Sequence, residues 1–251
     1  MEEITETITC GSCSRGLPLN SRFCKYCGAD QVEAQDESTN KDLVIALILF
    51  YVIEVVICLL VTFNDSFQGL NVLLIADAIM AATAILFSVY LWNDIVPVLK
   101  WKNFSLLKVA MYMGIAIAFS IPVQYSVRWL NSSLFDTDSY YYYAFLGFKH
   151  PFLWMLLVVA VAPAIFEELA YRGFILGGLL KLMDKKQAIF ISSFVFALIH
   201  FSFLSFFWML PFALLLGHIR TKENTIWYGV ILHFTLNAMS CLFEYYDLNL
   251  F

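Results

Sequence analysis

From residue 43 onward the chain alternates long apolar stretches with short polar breaks, and that rhythm predicts helices that cross a membrane. The apolar runs fall at 43–63, 70–92, 105–130, 151–177, 187–203, 204–217 and 225–246. A helix needs about 20 residues to cross the hydrocarbon core, so the first four runs and the last are long enough. The stretch 187–217 reads either as two short tilted spans or as one span with a re-entrant piece. Pro122 predicts a kink in the third run, while Pro151 and Pro163 stand at the start and middle of the fourth. The expected fold class is therefore an all-α polytopic membrane protein with about seven transmembrane helices. No internal repeat or low-complexity tract interrupts it.

The start of the chain has a different pattern. Cys10, Cys13, Cys24 and Cys27 form Cys-x2-Cys-x10-Cys-x2-Cys, with Gly11 and Gly28 at the knuckle turns. Four thiolates at this spacing suit tetrahedral zinc, and the segment resembles a short zinc ribbon. About 25 residues hold too little core to fold otherwise, which would make the metal structural. Residues 31–42 (QVEAQDESTNKD) read as a flexible polar linker. The expected division is a ribbon at 1–30, a linker at 31–42 and a membrane domain at 43–251. The acidic opening MEEITETITC lacks the positive n-region and apolar h-region of a signal peptide, so the ribbon is expected to stay in place.

Composition sharpens this picture. The chain has 251 residues, 61% of them hydrophobic and 14% charged, and a mean hydropathy of +0.76. A soluble domain carries about 25% charged residues. The net charge of −5 comes mostly from the first 42 residues, where eight Asp and Glu face four Lys and Arg, and no basic patch suits nucleic acid. With seven spans and a cytoplasmic N-terminus, twelve of the fifteen Lys and Arg fall on the cytoplasmic side. Arg128 and Lys149 fall outside, and Arg172 lies within a span. The positive-inside rule favours this orientation and puts the ribbon in the cytoplasm, with the protein integral to the cell membrane. Glu167, His200 and His233 then lie roughly 12–20 Å from the cytoplasmic edge on three different helices.

An ionisable side chain at the bilayer centre costs roughly 2.5 kcal/mol or more unless it is paired or faces a wet cavity. The last ninety or so residues nevertheless carry Glu167, Glu168, Arg172, His200, His233 and Asn237 in apolar surroundings. Glu168 and Arg172, Phe196 and His200, and His233 and Asn237 are each four apart and share a helix face. Glu167 and Glu168 point about 100° apart and cannot do one job. Arg172 neutralises Glu168, which leaves Glu167 to hold a water or a metal as a general base. His200 and His233 could bind a metal, position a water or stabilise an oxyanion, and Asn237 could donate its amide there. Phe196 is expected to stack on His200. Glu54 and Asp77, in the first two spans, are expected to pair with neighbours or water, and Cys58 and Cys241 to be packing residues.

Three runs carry a resemblance: Glu167-Glu168-Leu-Ala-Tyr-Arg172, Phe196-Ala-Leu-Ile-His200 and His233-Phe-Thr-Leu-Asn237. They resemble the three motifs of the CPBP family, the CAAX-protease and bacteriocin-processing (Abi) group that includes the type II CAAX prenyl endopeptidases. The similarity covers about 150–246, with all motifs intact and in order. It implies an intramembrane endopeptidase in which Glu167 and His200 activate water. Glu168 would pair with Arg172, and His233 with Asn237 would form the oxyanion pocket. The family is called metalloprotease, yet the motifs also fit a glutamate-dependent route. No His-Glu-x-x-His run occurs, so a catalytic metal would draw on Glu167, His200 and His233, and both routes stay open.

The leading expectation is an endopeptidase acting on a hydrophobic or membrane-tethered peptide or protein, with a possible protein partner for the ribbon and no nucleic acid. The alternatives are a non-catalytic adaptor or bacteriocin-immunity protein on the same fold, and an ion or solute transporter using Glu54, Asp77 and Glu167. Gathering of the ionisable residues in one half, without repeat architecture, argues against the transporter. The substrate, including whether it is prenylated, is not written in these residues.

Overall fold

The structure, a computed structural model, describes residues 7–10, 12–18, 24–27, 37–64, 69–101, 104–134 and 141–250. It divides into two units, Met1–Ile45 and Ala46–Phe251. In the first, strands β1 (Thr7–Thr9) and β2 (Gly16–Pro18) pair antiparallel, with Ile8 opposite Leu17. The reversal between them is tied by Cys10 N–H to Arg15 O at 2.9 Å and Ser14 N–H to Cys10 O at 2.8 Å. Ser14 takes the left-handed conformation there, φ 57°. Gly11 and Gly28, the expected knuckle glycines, lie outside the described residues.

Helix α1 runs Glu37–Phe63, so residues 37–42 of the expected linker are helical, and 31–36 lie outside the described residues. The boundary moves because extending an established helix adds one hydrogen bond per residue fixed, which is far easier than nucleating one. Then follow α2 (Leu70–Tyr90), the short α3 (Trp92–Leu99) and α4 (Leu106–Leu134). Next comes a long composite helix, α5 (Pro151–Leu182). Helices α6 (Lys185–Leu198), α7 (Phe203–Glu223) and α8 (Trp227–Leu250) complete the chain.

The expectation of about seven spans is only approximate. Among the described residues, five helices, α1, α2, α4, α5 and α7, are long and apolar enough to cross a membrane. Helix α6 has 14 residues, about 21 Å of rise against a core of ~30 Å. Helix α8 has 24 residues but a less apolar sequence, because it carries His233, Asn237 and Glu244. The ambiguous stretch 187–217 resolves into two helices that break at Ile199–Ser202, where Phe201 has φ 47°. Asp184 caps α6, accepting from Lys186 and Gln187 N–H, and Ser202 caps α7, accepting from Ser205 N–H at 3.2 Å.

In the second unit α8 packs along α4 and against α5, α2 lies along α5, and α6 lies along α7. Ala116, Ala160, Ala164, Ala188 and Ala213 are fully buried at these crossings; small residues let helices approach closely where lipid supplies no hydrophobic drive. Outward, Leu86, Leu106, Leu107 and Phe207 are exposed, as expected of side chains that meet lipid. One end is locked by α3. Thr225 and Ile226 donate to Val98 O at 3.0 and 3.1 Å, and the Trp227 indole donates to Leu99 O at 2.7 Å. Lys181 pairs with Asp94, and Lys108 with Glu223.

Candidate active site and cysteine cluster

Helix α5 is not a uniform α-helix. It contains two π stretches, Leu156–Val161 and Glu168–Ile175, a rare geometry that is frequent at functional sites. Pro163 has no N–H to give to Val159 O, four residues back. Asn237 of α8 supplies the missing donor, its Nδ2 lying 3.1 Å from that carbonyl. In the second stretch Leu176 N–H is drawn to Tyr171 O, five residues back. Arg172 O is left to accept from Arg220 Nε of α7 at 3.0 Å. Arg220, read from the sequence as a basic residue of the cytoplasmic side, is buried and satisfies α5 backbone. Each distortion is thus stabilised by one side chain from a neighbouring helix, and the second carries Glu168 and Arg172.

Glu168 and Arg172 are 0% and 1% exposed. Arg172 Nη1 lies 3.0 Å from Glu168 Oε1, and His233 Nδ1 lies 3.1 Å from the same oxygen. The carboxylate can only accept, so His233 Nδ1 carries the proton and donates. Arg172 also donates to Ala213 O at 3.4 Å, and its guanidinium sits 4.2 Å from the Phe196 ring centroid. Phe196 holds Tyr171, His200 and His233 edge-on at 5.1, 5.2 and 6.0 Å. It therefore touches far more of the site than the single histidine expected of it.

Glu167 stands apart from this network. Its side chain is 25% exposed, and His233 Nε2 is 3.8 Å from its Oε2, beyond hydrogen-bond length. His200 lies just past the end of α6, and its Nδ1 is 2.9 Å from Phe196 O. A carbonyl accepts, so Nδ1 holds the proton and the neutral ring keeps a lone pair on Nε2. Asn237, one turn from His233, commits one amide hydrogen to Val159 O and retains a second.

Gly229 at the site was not singled out from the sequence, and the meeting of Glu54 and Asp77 with Glu167 was not foreseen as a cleft. Gly229 stands four before His233 on the same face, and a Cβ there would lie 2.7 Å from Glu168 Oε2. That spacing was a usable signal. Glu168 is clamped by Arg172 and His233 and cannot swing aside, so Gly229→Ala is expected to cost about 1–3 kcal/mol by overpacking. Unfolding of the detergent-solubilised variant would measure it. Glu54 and Asp77 line a cleft together with Glu167 and Tyr171, a meeting across three helices that no local spacing announces.

The four N-terminal thiols form a compact group. All their Sγ atoms lie within 4.8 Å of one another, with Cys10–Cys27 at 3.7 Å and Cys13–Cys24 at 3.6 Å. All four are free rather than disulfide-bonded. Zinc–sulfur bonds of about 2.3 Å in a tetrahedron give sulfur–sulfur edges of ~3.8 Å, so the cluster fits a metal of that size. Local burial raises the Cys10 thiol, but the backbone N–H groups of Cys13 and Ser12 outweigh it and bring it down to about 6. That favours the thiolate that ligates metal. Leu17 packs beneath Cys10 and Cys24 as the module's small core. Among the described residues this is the group whose donors converge tightly enough for a metal.

Apolar helices around a buried carboxylate–guanidinium–imidazole cluster define an integral membrane protein with a polar interior site. Residues 149–239 match the Rce1-like family, Type II CAAX prenyl endopeptidase Rce1-like, so the segment that builds this cluster is similar to CAAX-type prenyl endopeptidases. No curated protein and no solved structure matches the chain.

Proposed function

We propose that the protein is an intramembrane endopeptidase, CAAX prenyl protease 2-like, that hydrolyses a peptide bond of a hydrophobic or membrane-tethered substrate. The observation that carries this reading is the division of labour between adjacent carboxylates. Glu168 is buried and holds both Arg172 and His233 through Oε1, whereas Glu167 is partly open and outside hydrogen-bond reach of any partner named above. Glu167 would take a proton from a water as its oxygen attacks the scissile carbonyl, and pass that proton to the leaving amine. His200, with Nδ1 spent on Phe196 O, would orient the same water through Nε2. His233, held to Glu168 through Nδ1, would face the oxyanion beside the second amide hydrogen of Asn237.

The substrate is best found by comparing membrane peptides. Peptides that accumulate when the chain is deleted and vanish when it is restored, but not when His200→Ala is restored, would support the reading. No difference between those strains would overturn it.

The N-terminal module is read as a cytoplasmic zinc ribbon with a structural metal, carried by a protein of the cell membrane and available to a protein partner. Its support is the tetrahedral fit of the thiols together with the basic residues that join helix ends through Asp94 and Glu223. The full-length reduced protein is expected to bind one equivalent of zinc. Cys10→Ser should lose that zinc while the membrane helices stay folded, as read by metal analysis beside circular dichroism.

A further inference from the structure

Glu167 has neighbours on its other side that the reaction above does not use. Glu54 of α1, Asp77 of α2 and Tyr171 of α5 line one cleft with it, between apolar walls that include Met80, Pro163 and Phe166. Glu54 and Asp77 are each within electrostatic reach of Glu167. Glu54 is 2% exposed and accepts one hydrogen bond, from Thr83. The Tyr171 side chain is 1% exposed, its hydroxyl has no hydrogen-bond partner, and it lies within electrostatic reach of Glu54 and Glu167. A buried hydroxyl left without a partner is uncommon in a native protein and points to a missing ligand.

The charges are unmatched as well. Among the described residues, no basic side chain lines the cleft. Arg172 is taken by Glu168, Arg220 by Arg172 O, and Lys108 and Lys181 by Glu223 and Asp94. His233 approaches Glu167 only at 3.8 Å while donating to Glu168. Carboxyl groups grouped inside a membrane are costly to ionise without a cation beside them, and a cationic ligand would relieve that cost. The carboxyls are not among the described groups that converge for a metal ion. The free space is about 40 Å³, room for a group of water size. An ammonium group has that size and three donors, whereas the planar guanidinium with five donors is larger. The apolar walls suit an alkyl stem that ends in the charge.

We propose that the cleft between Glu54, Asp77, Tyr171 and Glu167 is a subsite for the primary ammonium of a substrate lysine side chain. This rests on the endopeptidase reading for the word substrate, though not for the binding itself. Two measurements separate them. The first follows thermal unfolding of the detergent-solubilised full chain with n-butylammonium, the lysine side-chain analogue, against n-butanol. A saturable rise in Tm is expected with the ammonium alone, abolished in Asp77→Asn and reduced in Tyr171→Phe. No saturable rise, or an equal rise in Asp77→Asn, overturns the subsite. Asp77 is only partly buried, which makes Asp77→Asn the variant best able to fold; Glu54→Gln is the stricter second.

The second measurement uses membrane vesicles and N-acetylated hydrophobic peptides that carry lysine or norleucine at one scanned position. At the productive position kcat/KM should favour lysine by at least ~10-fold, and that ratio should collapse in Asp77→Asn. Blocking the amino terminus separates a side-chain ammonium from a free N-terminal one; preference for unblocked peptides regardless of lysine would overturn the lysine assignment. Equal cleavage of both peptides at every position overturns the subsite and leaves the endopeptidase. Cleavage of neither, with the butylammonium shift intact, overturns the endopeptidase and leaves an ammonium site.

Discussion

Glu167→Gln is expected to lower peptide-bond cleavage by at least ~10²-fold, the usual scale for a general base, while the protein inserts and keeps its stability. The amide preserves the shape and hydrogen-bonding reach of the side chain and removes only its ability to take a proton from water. Stability should be spared because Glu167 is 25% exposed and makes no close ion pair, with His233 Nε2 at 3.8 Å. Nothing in the Glu168–Arg172–His233 network loses a partner. Cleavage in purified membranes and unfolding in detergent would be measured on the same preparations. Near wild-type turnover in Glu167→Gln beside a folded but inactive Glu168→Gln would exchange the roles of the two carboxylates. Full turnover in both would leave a binding protein on a protease-like framework.

The contrast between those glutamates shows what the sequence could convey. Helical periodicity assigns faces, so Glu168–Arg172 and Phe196–His200 were readable as contacts four residues apart, and both occur. Periodicity does not assign partners across helices. His233 and Asn237 share a face, yet His233 reaches Glu168 while Asn237 reaches Val159 O. The signal for the second contact was Pro163, since a proline inside a helix orphans the carbonyl four residues back and some outside donor must satisfy it. The π stretches had no such signal, because one residue of extra winding leaves the apolar pattern nearly unchanged. The cysteine spacing was legible because its geometry is local. Glu54 and Asp77 meet Glu167 only after α1, α2 and α5 have packed, and nothing in their own neighbourhoods anticipates it.

Glu168→Gln should act chiefly on stability. The substitution leaves Arg172, itself 1% exposed, as an uncompensated buried cation, and breaking one partner of a buried pair costs about 3–5 kcal/mol. His233 also loses the carboxylate that accepts from its Nδ1. Unfolding in detergent and expression in membranes should both fall well below those of Glu167→Gln. Removing both charges separates the two consequences. In the double variant Glu168→Met with Arg172→Met, the thioethers occupy the same space, and the one that replaces the guanidinium can still lie against Phe196. Most of the lost stability should return, because a buried ion pair replaced by apolar side chains of similar volume is often neutral or better. Cleavage should not return, because His233 would then have no acceptor to fix its tautomer or orientation. A single Glu168→Gln that unfolds within about 1 kcal/mol of the wild type, the span of an ordinary hydrogen bond, would mean that Arg172 does not depend on Glu168 for its charge. A double variant that recovers both stability and cleavage would show that His233 is held in place by packing against Phe196 and Phe212 rather than by the carboxylate.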